Sequence, residues 1–171
     1  MIIGIGGCSR SGKSTLARDL VWHFRNQNKR AIALSQDDFV LNINDIPTIN
    51  DRTDWDSPAS LNFELMYQTV AYLNQYFEVV ILEGHFVFSD FNLKQLFDYQ
   101  IFIQLSEITF RQRRAAETRW GQEPDWFVSH VWNSFIEYGQ PSFLDTNLLT
   151  ISGEKPFEID TIKAFLIDRP S

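Results

Sequence analysis

The sequence contains little cysteine and no long apolar run, which argues against a protein stabilised by internal disulfides and against one with membrane-spanning helices. Its 171 residues contain one cysteine, Cys8, so no disulfide can form within the chain. No stretch approaches the roughly 20 apolar residues that a helix needs to cross a bilayer. The apolar start, residues 1–5, has no basic region and is too short for a signal peptide. We therefore expect a cytoplasmic protein with no membrane partner.

Basic residues are also scarce. Lys and Arg total 15 against 22 Asp and Glu, which gives a formal net charge of −7. A protein that mainly neutralises nucleic-acid phosphates needs clustered Lys and Arg, so nucleic acid is not an expected partner. Any anionic ligand must be captured by a local group of residues, against the overall charge.

Glycine and proline are few, at 8 and 6 residues, and no repeat, low-complexity tract or flexible linker divides the chain. A length of 171 residues predicts one domain over residues 1–171. Aromatic residues are abundant, with 15 Phe, 5 Trp and 5 Tyr, and they supply bulky side chains for a core. We expect a folded domain that is a monomer or a homodimer.

Short β-branched runs alternate with longer segments of helical spacing, which is typical of an α/β fold with a parallel sheet covered by helices on both faces. Five strands are predicted, at 1–5, 31–34, 79–82, 101–105 and 148–151. Helices are predicted after the first strand as far as residue 26, and at 61–75, 108–120, 126–138 and 158–166. The polar stretch 36–60 is a candidate substrate loop, because loops this long inside compact domains are usually functional or disordered.

A glycine-rich motif follows the first strand. Residues 7–14 read G-C-S-R-S-G-K-S, which fits G-x-x-x-x-G-K-[ST] between an apolar strand and an amphipathic helix. Backbone N–H groups and the helix N-terminus of such a loop bind phosphate oxygens, Lys13 bridges the outer phosphates, and Ser14 offers a hydroxyl to Mg²⁺. The alternative, a glycine-rich turn that binds nothing, has no need of Lys and Ser after the glycine. We expect Cys8 to be a small residue that fills space in the loop. The motif predicts a bound nucleotide, held by Gly7, Ser9, Arg10, Ser11, Gly12, Lys13, Ser14 and Thr15.

A phosphate loop alone does not separate a GTPase, an ATPase motor and a small-molecule kinase. The guanine-reading N-K-x-D and the D-x-x-G of a GTPase are both missing from the sequence. The third strand instead ends in I-L-E-G, which places Glu83 at the carboxyl edge of the sheet beside the phosphate loop. There Glu83 would face the metal and hold its water ligands; a solvated charge at the strand end is the alternative.

Paired carboxylates follow the second strand, at Asp37 and Asp38. This is another strand end next to the phosphate loop, where ligands bind in open α/β sheets. A hydroxyl that accepts a phosphoryl group needs a carboxylate to orient it and take its proton, so we interpret Asp37 as the general base. Asp is also a favoured capping residue, and we expect Asp38 to have that structural role.

These motifs together resemble a known family, the uridine kinase and nicotinamide riboside kinase group of P-loop nucleoside kinases. The resemblance rests on the phosphate loop, S-Q-D-D-F at 35–39, D-W-D-S-P at 54–58, I-L-E-G at 81–84, an arginine-rich helix and H-V-W at 130–132. It implies a P-loop NTPase fold with an arginine-rich helical lid at about 108–125, and it implies ATP and Mg²⁺ as cofactors. It also assigns Asp37 as the base and Asp56 as the residue that holds the ribose hydroxyls, since one carboxylate accepts both hydrogen bonds of a cis-diol.

The resemblance divides at the pocket for the base. Uridine kinases carry a hairpin with pyrimidine contacts just before the third strand, but here the helix at 61–75 leads almost directly into that strand. Trp55 and Trp120 lie near the positions of two stacking aromatics of nicotinamide riboside kinases. Two indoles would suit a flat cationic ring, although core packing is the commoner role of Trp.

Four arginines lie in the predicted lid, at Arg111, Arg113, Arg114 and Arg119. We favour Arg114 as the lid residue that neutralises the triphosphate, and Arg119 as a substrate-side arginine. The alternative is a solvated helix face paired with Glu107 and Glu117. The segment 152–156 resembles the loop that frames adenine in this family.

The sequence therefore predicts an ATP- and Mg²⁺-dependent kinase that phosphorylates the 5′-hydroxyl of a small nucleoside. Nicotinamide riboside is the favoured substrate, and uridine or cytidine is second. Two other hypotheses remain open: a P-loop kinase of another small alcohol, and a regulatory module that binds ATP without turnover. The presence of Asp37, Asp56 and Glu83 speaks against the second, because binding ATP alone needs no acceptor base.

Overall fold

The computed structural model describes residues 1–117, 121 and 123–167. Its strands are β1 (Ile2–Gly7), β2 (Ala31–Ser35), β3 (Thr48–Ile49), β4 (Arg52–Thr53), β5 (Val79–Gly84), β6 (Tyr99–Gln104) and β7 (Leu148–Ser152). Its helices are α1 (Lys13–Asn26), α2 (Phe63–Leu73), α3 (Phe91–Gln95), α4 (Glu107–Ala115), α5 (Asp125–Tyr138) and α6 (Ile159–Ile167). No helix within these residues is long and apolar enough to span a membrane.

Five strands form one parallel sheet in the order β2-β5-β1-β6-β7. The α/β P-loop fold predicted from the sequence is confirmed, with all five predicted strands in this sheet. Because the strands are parallel, β1, β2 and β5 end at the same edge. The phosphate loop, the Asp37–Asp38 pair and Glu83 all follow or end these three strands, so the topology brings them together.

Helices cover both faces of the sheet, as predicted. On one face α1 and α6 pack against alternate residues of the central strands, including Ile3, Ile5, Ile81 and Ile101. On the other face α2, α3, α4 and α5 cover the intervening residues, including Val80, Leu82 and Phe102. Strands buried on two faces are apolar at nearly every position, which explains the continuous apolar runs in the sequence.

Glycines in β1 make room for aromatic rings on the second face. A Cβ on Gly6 would lie 2.2 Å from the ring of Phe88, and a Cβ on Gly4 would lie 2.7 Å from the ring of Phe97. Both rings therefore pack against β1, the central strand, at residues that come just before the phosphate loop in the chain.

Four elements differ from the sequence prediction. The two-residue strands β3 and β4 form a small antiparallel hairpin inside the predicted substrate loop, and α3 is a short helix that the periodicity did not indicate. Both are too short to carry a periodic pattern. The arginine-rich helix ends at Ala115, whereas the sequence predicted that it continues to residue 120. At its end the backbone N–H of Ala116 bonds to the Gln112 carbonyl, and the N–H of Glu117 bonds to the Arg114 carbonyl in a tighter turn. No hairpin separates α2 from β5, as the sequence predicted.

Candidate active site

The phosphate loop joins β1 to the N-terminus of α1. Arg10 and Gly12 both have positive φ, 65° and 104°, and this backbone shape turns the loop around a central space. Glycine is required at position 12 both by this positive φ and by lack of space, because a Cβ there would lie 2.8 Å from the ring of Phe157. Burial raises the pKa of the Cys8 thiol to about 11, so this side chain is an unreactive filler.

A cavity of about 550 Å³ lies over the loop. It brings together the three sequence regions that were predicted to meet at the sheet edge. Its lining residues come from the phosphate loop, from the end of β2 and from the end of β5: Ser9, Arg10, Gly12, Lys13, Ser14, Thr15, Asp37, Glu83, Gly84 and His85. Eight of the residues predicted to bind nucleotide, metal or acceptor therefore line one cavity: Ser9, Arg10, Gly12, Lys13, Ser14, Thr15, Asp37 and Glu83.

Lys13 is buried at the floor of this cavity. Its Nζ donates to the carbonyl oxygen of Cys8 at 2.9 Å. Burial lowers the pKa of Lys13, and the nearby carboxylates of Glu83 and Asp37 act in the opposite direction. The ammonium group is therefore bonded to the loop backbone, and two acids favour its charged form.

Ser14 and Glu83, the two predicted metal ligands, are hydrogen-bonded to each other at the cavity. The Ser14 hydroxyl donates to Glu83 Oε1 at 2.7 Å. Among the described residues there is no cluster of three or more His, Cys, Asp or Glu that could hold a metal. A hydroxyl and one carboxylate fit Mg²⁺, which prefers hard oxygen ligands and keeps several waters and substrate phosphates around it.

Asp37 and Asp38 have different environments. Asp38 Oδ2 accepts from the backbone N–H of Ser35 at 3.3 Å, and Ser35 Oγ accepts from the N–H of Asp37, which is a capping box. The carboxyl of Asp37 lines the cavity instead. This arrangement has Asp38 in the structural role and leaves Asp37 available to a substrate.

Gln36 fixes this turn, and sequence reasoning did not select it. Its Oε1 accepts from the backbone N–H of Phe86 at 2.8 Å, which ties the end of β2 to the segment after β5. A Cβ on Gly84 would lie 2.3 Å from that oxygen, so the glycine permits the contact. The S-Q-D and E-G motifs were the signal in the sequence, because they contain Gln36 and the Gly84 that makes room for it.

His85 lines the cavity, and sequence reasoning left it unassigned. Its Nε2 is buried and has no hydrogen-bond partner in the described part of the chain. Burial, together with the positive charges of Lys13 and Arg114, holds the pKa of His85 well below its usual value. The ring is therefore neutral at physiological pH.

A second polar cluster surrounds Asp56, the residue predicted to bind ribose. Arg114 donates from Nε and Nη2 to both oxygens of Glu123, at 2.6 and 2.8 Å. Its guanidinium also lies 3.9 Å from Asp56 and 5.9 Å from the centre of the Phe127 ring. In this structure the predicted lid arginine thus pairs with Glu123 and lies near Asp56, the predicted ribose ligand.

Asp56 lies within this cluster with its side chain 14% exposed. Burial raises the pKa of Asp56 to about 6, helped by the negative charges of Asp54 and Glu123 and opposed by Arg114 and His130. A carboxylate in this environment is ready to accept hydrogen bonds from a ligand.

Arg113, rather than Arg114, contacts the phosphate loop. Its Nη1 donates to the Arg10 carbonyl at 2.9 Å and its Nη2 donates to the Gly153 carbonyl at 2.8 Å. Arg10 and Glu117 form an ion pair next to these bonds. One side chain therefore joins the lid helix, the phosphate loop and the loop 152–156 that resembles the adenine frame.

Of the remaining residues predicted for the lid and the base pocket, the structure describes Arg111 and Trp55. Arg111 is on the surface, where it pairs with Glu107 and donates to Ser129, as the solvated-face alternative predicted. Trp55 is 46% exposed, with its indole ring accessible to a ligand. Arg119 and Trp120 lie outside the described residues, so their predicted substrate roles stay predictions.

Changing Arg113 to Lys should raise the KM for ATP about tenfold, because an ammonium group keeps the charge but cannot make both forked hydrogen bonds. The KM for the acceptor should change little. Steady-state kinetics with each substrate varied in turn measures this. Arg111→Lys on the same helix is the matched control and should behave like wild type; equal effects of the two variants would contradict the assignment.

Comparison with known proteins agrees with this geometry. Residues 2–78 match the phosphoribulokinase / uridine kinase family. Human nicotinamide riboside kinase 1 is 29% identical over 158 residues, covering 81% of this chain and 76% of that protein. A uridine kinase from Leuconostoc citreum is 27% identical over 139 residues, covering 66% of each chain. The sequence of this chain is therefore similar to those of nicotinamide riboside kinases and uridine kinases.

Solved structures show that the similarity extends to the fold. A possible uridine kinase from Bacillus stearothermophilus superposes with a TM-score of 0.59 at 15% identity, over 87% of this chain and 88% of that one. A gluconokinase from Sinorhizobium meliloti gives a TM-score of 0.59 at 16% identity, over 96% and 88%. At these identities the structures support the P-loop kinase fold alone, whereas the sequence relatives confirm the family resemblance predicted from the motifs.

Proposed function

We propose that this chain is an ATP- and Mg²⁺-dependent kinase that phosphorylates the 5′-hydroxyl of a ribonucleoside, with nicotinamide riboside favoured and uridine or cytidine second. The observation that carries the proposal is one cavity lined by Lys13, Glu83 and Asp37. A phosphate-binding lysine, a metal-facing acid and an acceptor base are the parts that phosphoryl transfer to an alcohol requires. A cytoplasmic location remains a prediction from the composition.

The residues have separate tasks in this scheme. Lys13 and the loop N–H groups bind the outer phosphates, and Ser14 and Glu83 would hold Mg²⁺, which supplies charge neutralisation on the transferred group. Asp37 orients the acceptor hydroxyl and takes its proton as the oxygen attacks. Asp56 accepts the hydrogen bonds of the ribose cis-diol.

A substrate panel tests the proposal. Purified protein with ATP and Mg²⁺ is given nicotinamide riboside, uridine, cytidine and several small non-nucleoside alcohols, and both ADP and the phosphorylated product are measured. We expect transfer to at least one ribonucleoside, fastest with nicotinamide riboside. Transfer only to a non-nucleoside alcohol, or ATP binding without any transfer, would overturn the proposal.

The favoured substrate makes a prediction about Trp55. Trp55→Ala should raise the KM for nicotinamide riboside about tenfold, because a half-exposed indole can stack on a cationic ring. The KM for ATP should stay the same. Trp22→Ala, which removes an indole 60% exposed on α1, is the control. A rise in KM in both variants, or in neither, would remove Trp55 from the binding site.

The environment of Asp56 predicts a pH dependence. Because its pKa is raised to about 6, the carboxylate becomes protonated as pH falls from 7 to 5 and loses part of its capacity to accept from a diol. The KM for the nucleoside should therefore rise toward low pH, while the KM for ATP changes little. Asp56→Asn should show a high KM that no longer varies over this range; an unchanged pH profile in that variant would contradict the assignment.

A further inference from the structure

The segment that carries Asp56 is tied to α5 by a partly buried polar contact. His130 Nε2 lies 2.8 Å from Asp54 Oδ1. The same Asp54 oxygen accepts from the backbone N–H of Asp56 at 3.2 Å. One carboxylate oxygen therefore joins a side chain of α5 to the backbone of the proposed ribose-binding residue.

The roles of donor and acceptor follow from the chemistry. A carboxylate is an acceptor, so His130 must carry its proton on Nε2 to satisfy this contact. Asp54 is 7% exposed, and a polar group this far from solvent costs free energy unless its hydrogen bonds are made. The backbone N–H of Asp54 also donates to the Pro47 carbonyl at 2.8 Å. Asp54 is thus held from two sides while it holds Asp56.

A second contact lies one helical turn earlier on α5. The guanidinium of Arg52 lies 6.0 Å from the centre of the Trp126 ring, and Trp126 and His130 share a face of the helix because they are four residues apart. The chain from Arg52 to Asp54 therefore runs along α5. The position of Asp56 depends on how this segment sits on the helix.

We propose that His130 and Asp54 are positioning residues that set the place of the Asp56 carboxylate and thereby the affinity for the ribose of the acceptor. The inference rests on the proposed function, since it takes Asp56 as the ribose ligand. A displacement of a binding group by about 1 Å can cost a large factor in rate or affinity, so the effect is measurable.

Two matched pairs of variants test the proposal. His130→Gln places an amide N–H close to the position of the imidazole Nε2, whereas His130→Asn is equally polar but one methylene too short. Asp54→Asn keeps an oxygen that accepts both bonds, whereas Asp54→Ala keeps neither. Asn133→Ala, an exposed change on the same helix, is the control for α5.

We expect His130→Asn and Asp54→Ala to raise the nucleoside KM about tenfold with the ATP KM unchanged. His130→Gln, Asp54→Asn and Asn133→Ala should stay within about twofold of wild type. An unchanged nucleoside KM in His130→Asn would overturn the inference, as would an equal rise in the KM for ATP. Full rescue by only one of the two conservative variants would also count against it.

Amide hydrogen exchange separates this inference from the proposed function. The Asp56 N–H is bonded to Asp54 Oδ1, so its exchange should be faster in Asp54→Ala and in His130→Asn than in wild type. This readout requires no turnover. If wild type phosphorylates no ribonucleoside, the proposed function fails; faster exchange in both variants then still supports the relay from His130 to Asp56, and unchanged exchange overturns it.

Discussion

Asp37→Asn should lower kcat by about 10²- to 10⁴-fold, the range for removal of a general base. The amide keeps the shape of the side chain in the cavity and can still accept a hydrogen bond, but it cannot take the proton of the acceptor hydroxyl. The KM for ATP should stay close to wild type, because Asp37 follows β2 and the phosphates bind to the loop after β1. Initial rates and ATP binding measured on the same preparation check both parts.

Asp38→Asn is the matched control for this prediction. The change is the same and the neighbouring position belongs to the same turn, but Asp38 accepts from the backbone of Ser35. We expect kcat within about twofold of wild type and a loss of at most about 1 kcal/mol in the free energy of unfolding, as for a weakened cap. If Asp38→Asn were the inactive variant and Asp37→Asn the active one, the assignment of the base would be reversed.

Lys13→Met should lower kcat/KM for ATP by about 10³-fold. Methionine fills a similar volume but has no charge, so the developing negative charge on the transferred phosphoryl group loses a fixed partner at the cavity floor. Kinetics with ATP varied at saturating nucleoside measures the loss. Because binding in the ground state also weakens, a fluorescent ATP analogue should show a higher Kd.

Arg18→Met on the same helix is the control for the loss of a cation. Its side chain is 64% exposed and its guanidinium lies 3.6 Å from Asp19, on the side of α1 that faces solvent. Activity should be unchanged in this variant. A similar loss in both variants would mean that net charge, rather than the position of Lys13, determines ATP binding.

Much of the fold and the phosphate site could be predicted from the sequence because the signals are local. The phosphate loop is a contiguous motif, and the acids at 37 and 83 directly follow or end strands that a parallel sheet must align at one edge. The capping role of Asp38 was also predictable, since one of two adjacent acids at a turn commonly caps it.

The arginines of α4 show where local information ends. Neighbouring residues on a helix point about 100° apart, so Arg113 and Arg114 face different partners although the sequence presents them as equivalent. Arg113 binds the backbone of Arg10 and Arg114 pairs with Glu123. The choice of Arg114 as the phosphate-side residue depended on a rotation of the helix that composition and spacing do not specify.

The sequence by itself determined the parallel sheet, the phosphate-loop motif, the strand-end position of Asp37 and the family resemblance, because each depends on periodicity or on residues adjacent in the chain. Only the tertiary structure decided which residues meet across long separations, such as His130 with Asp54 and Gln36 with Phe86. It also decided the raised pKa of Asp56. The physical reason is that burial and hydrogen-bond partners are set by how helices and loops pack on the sheet, and one residue type can find many partners of the same chemistry.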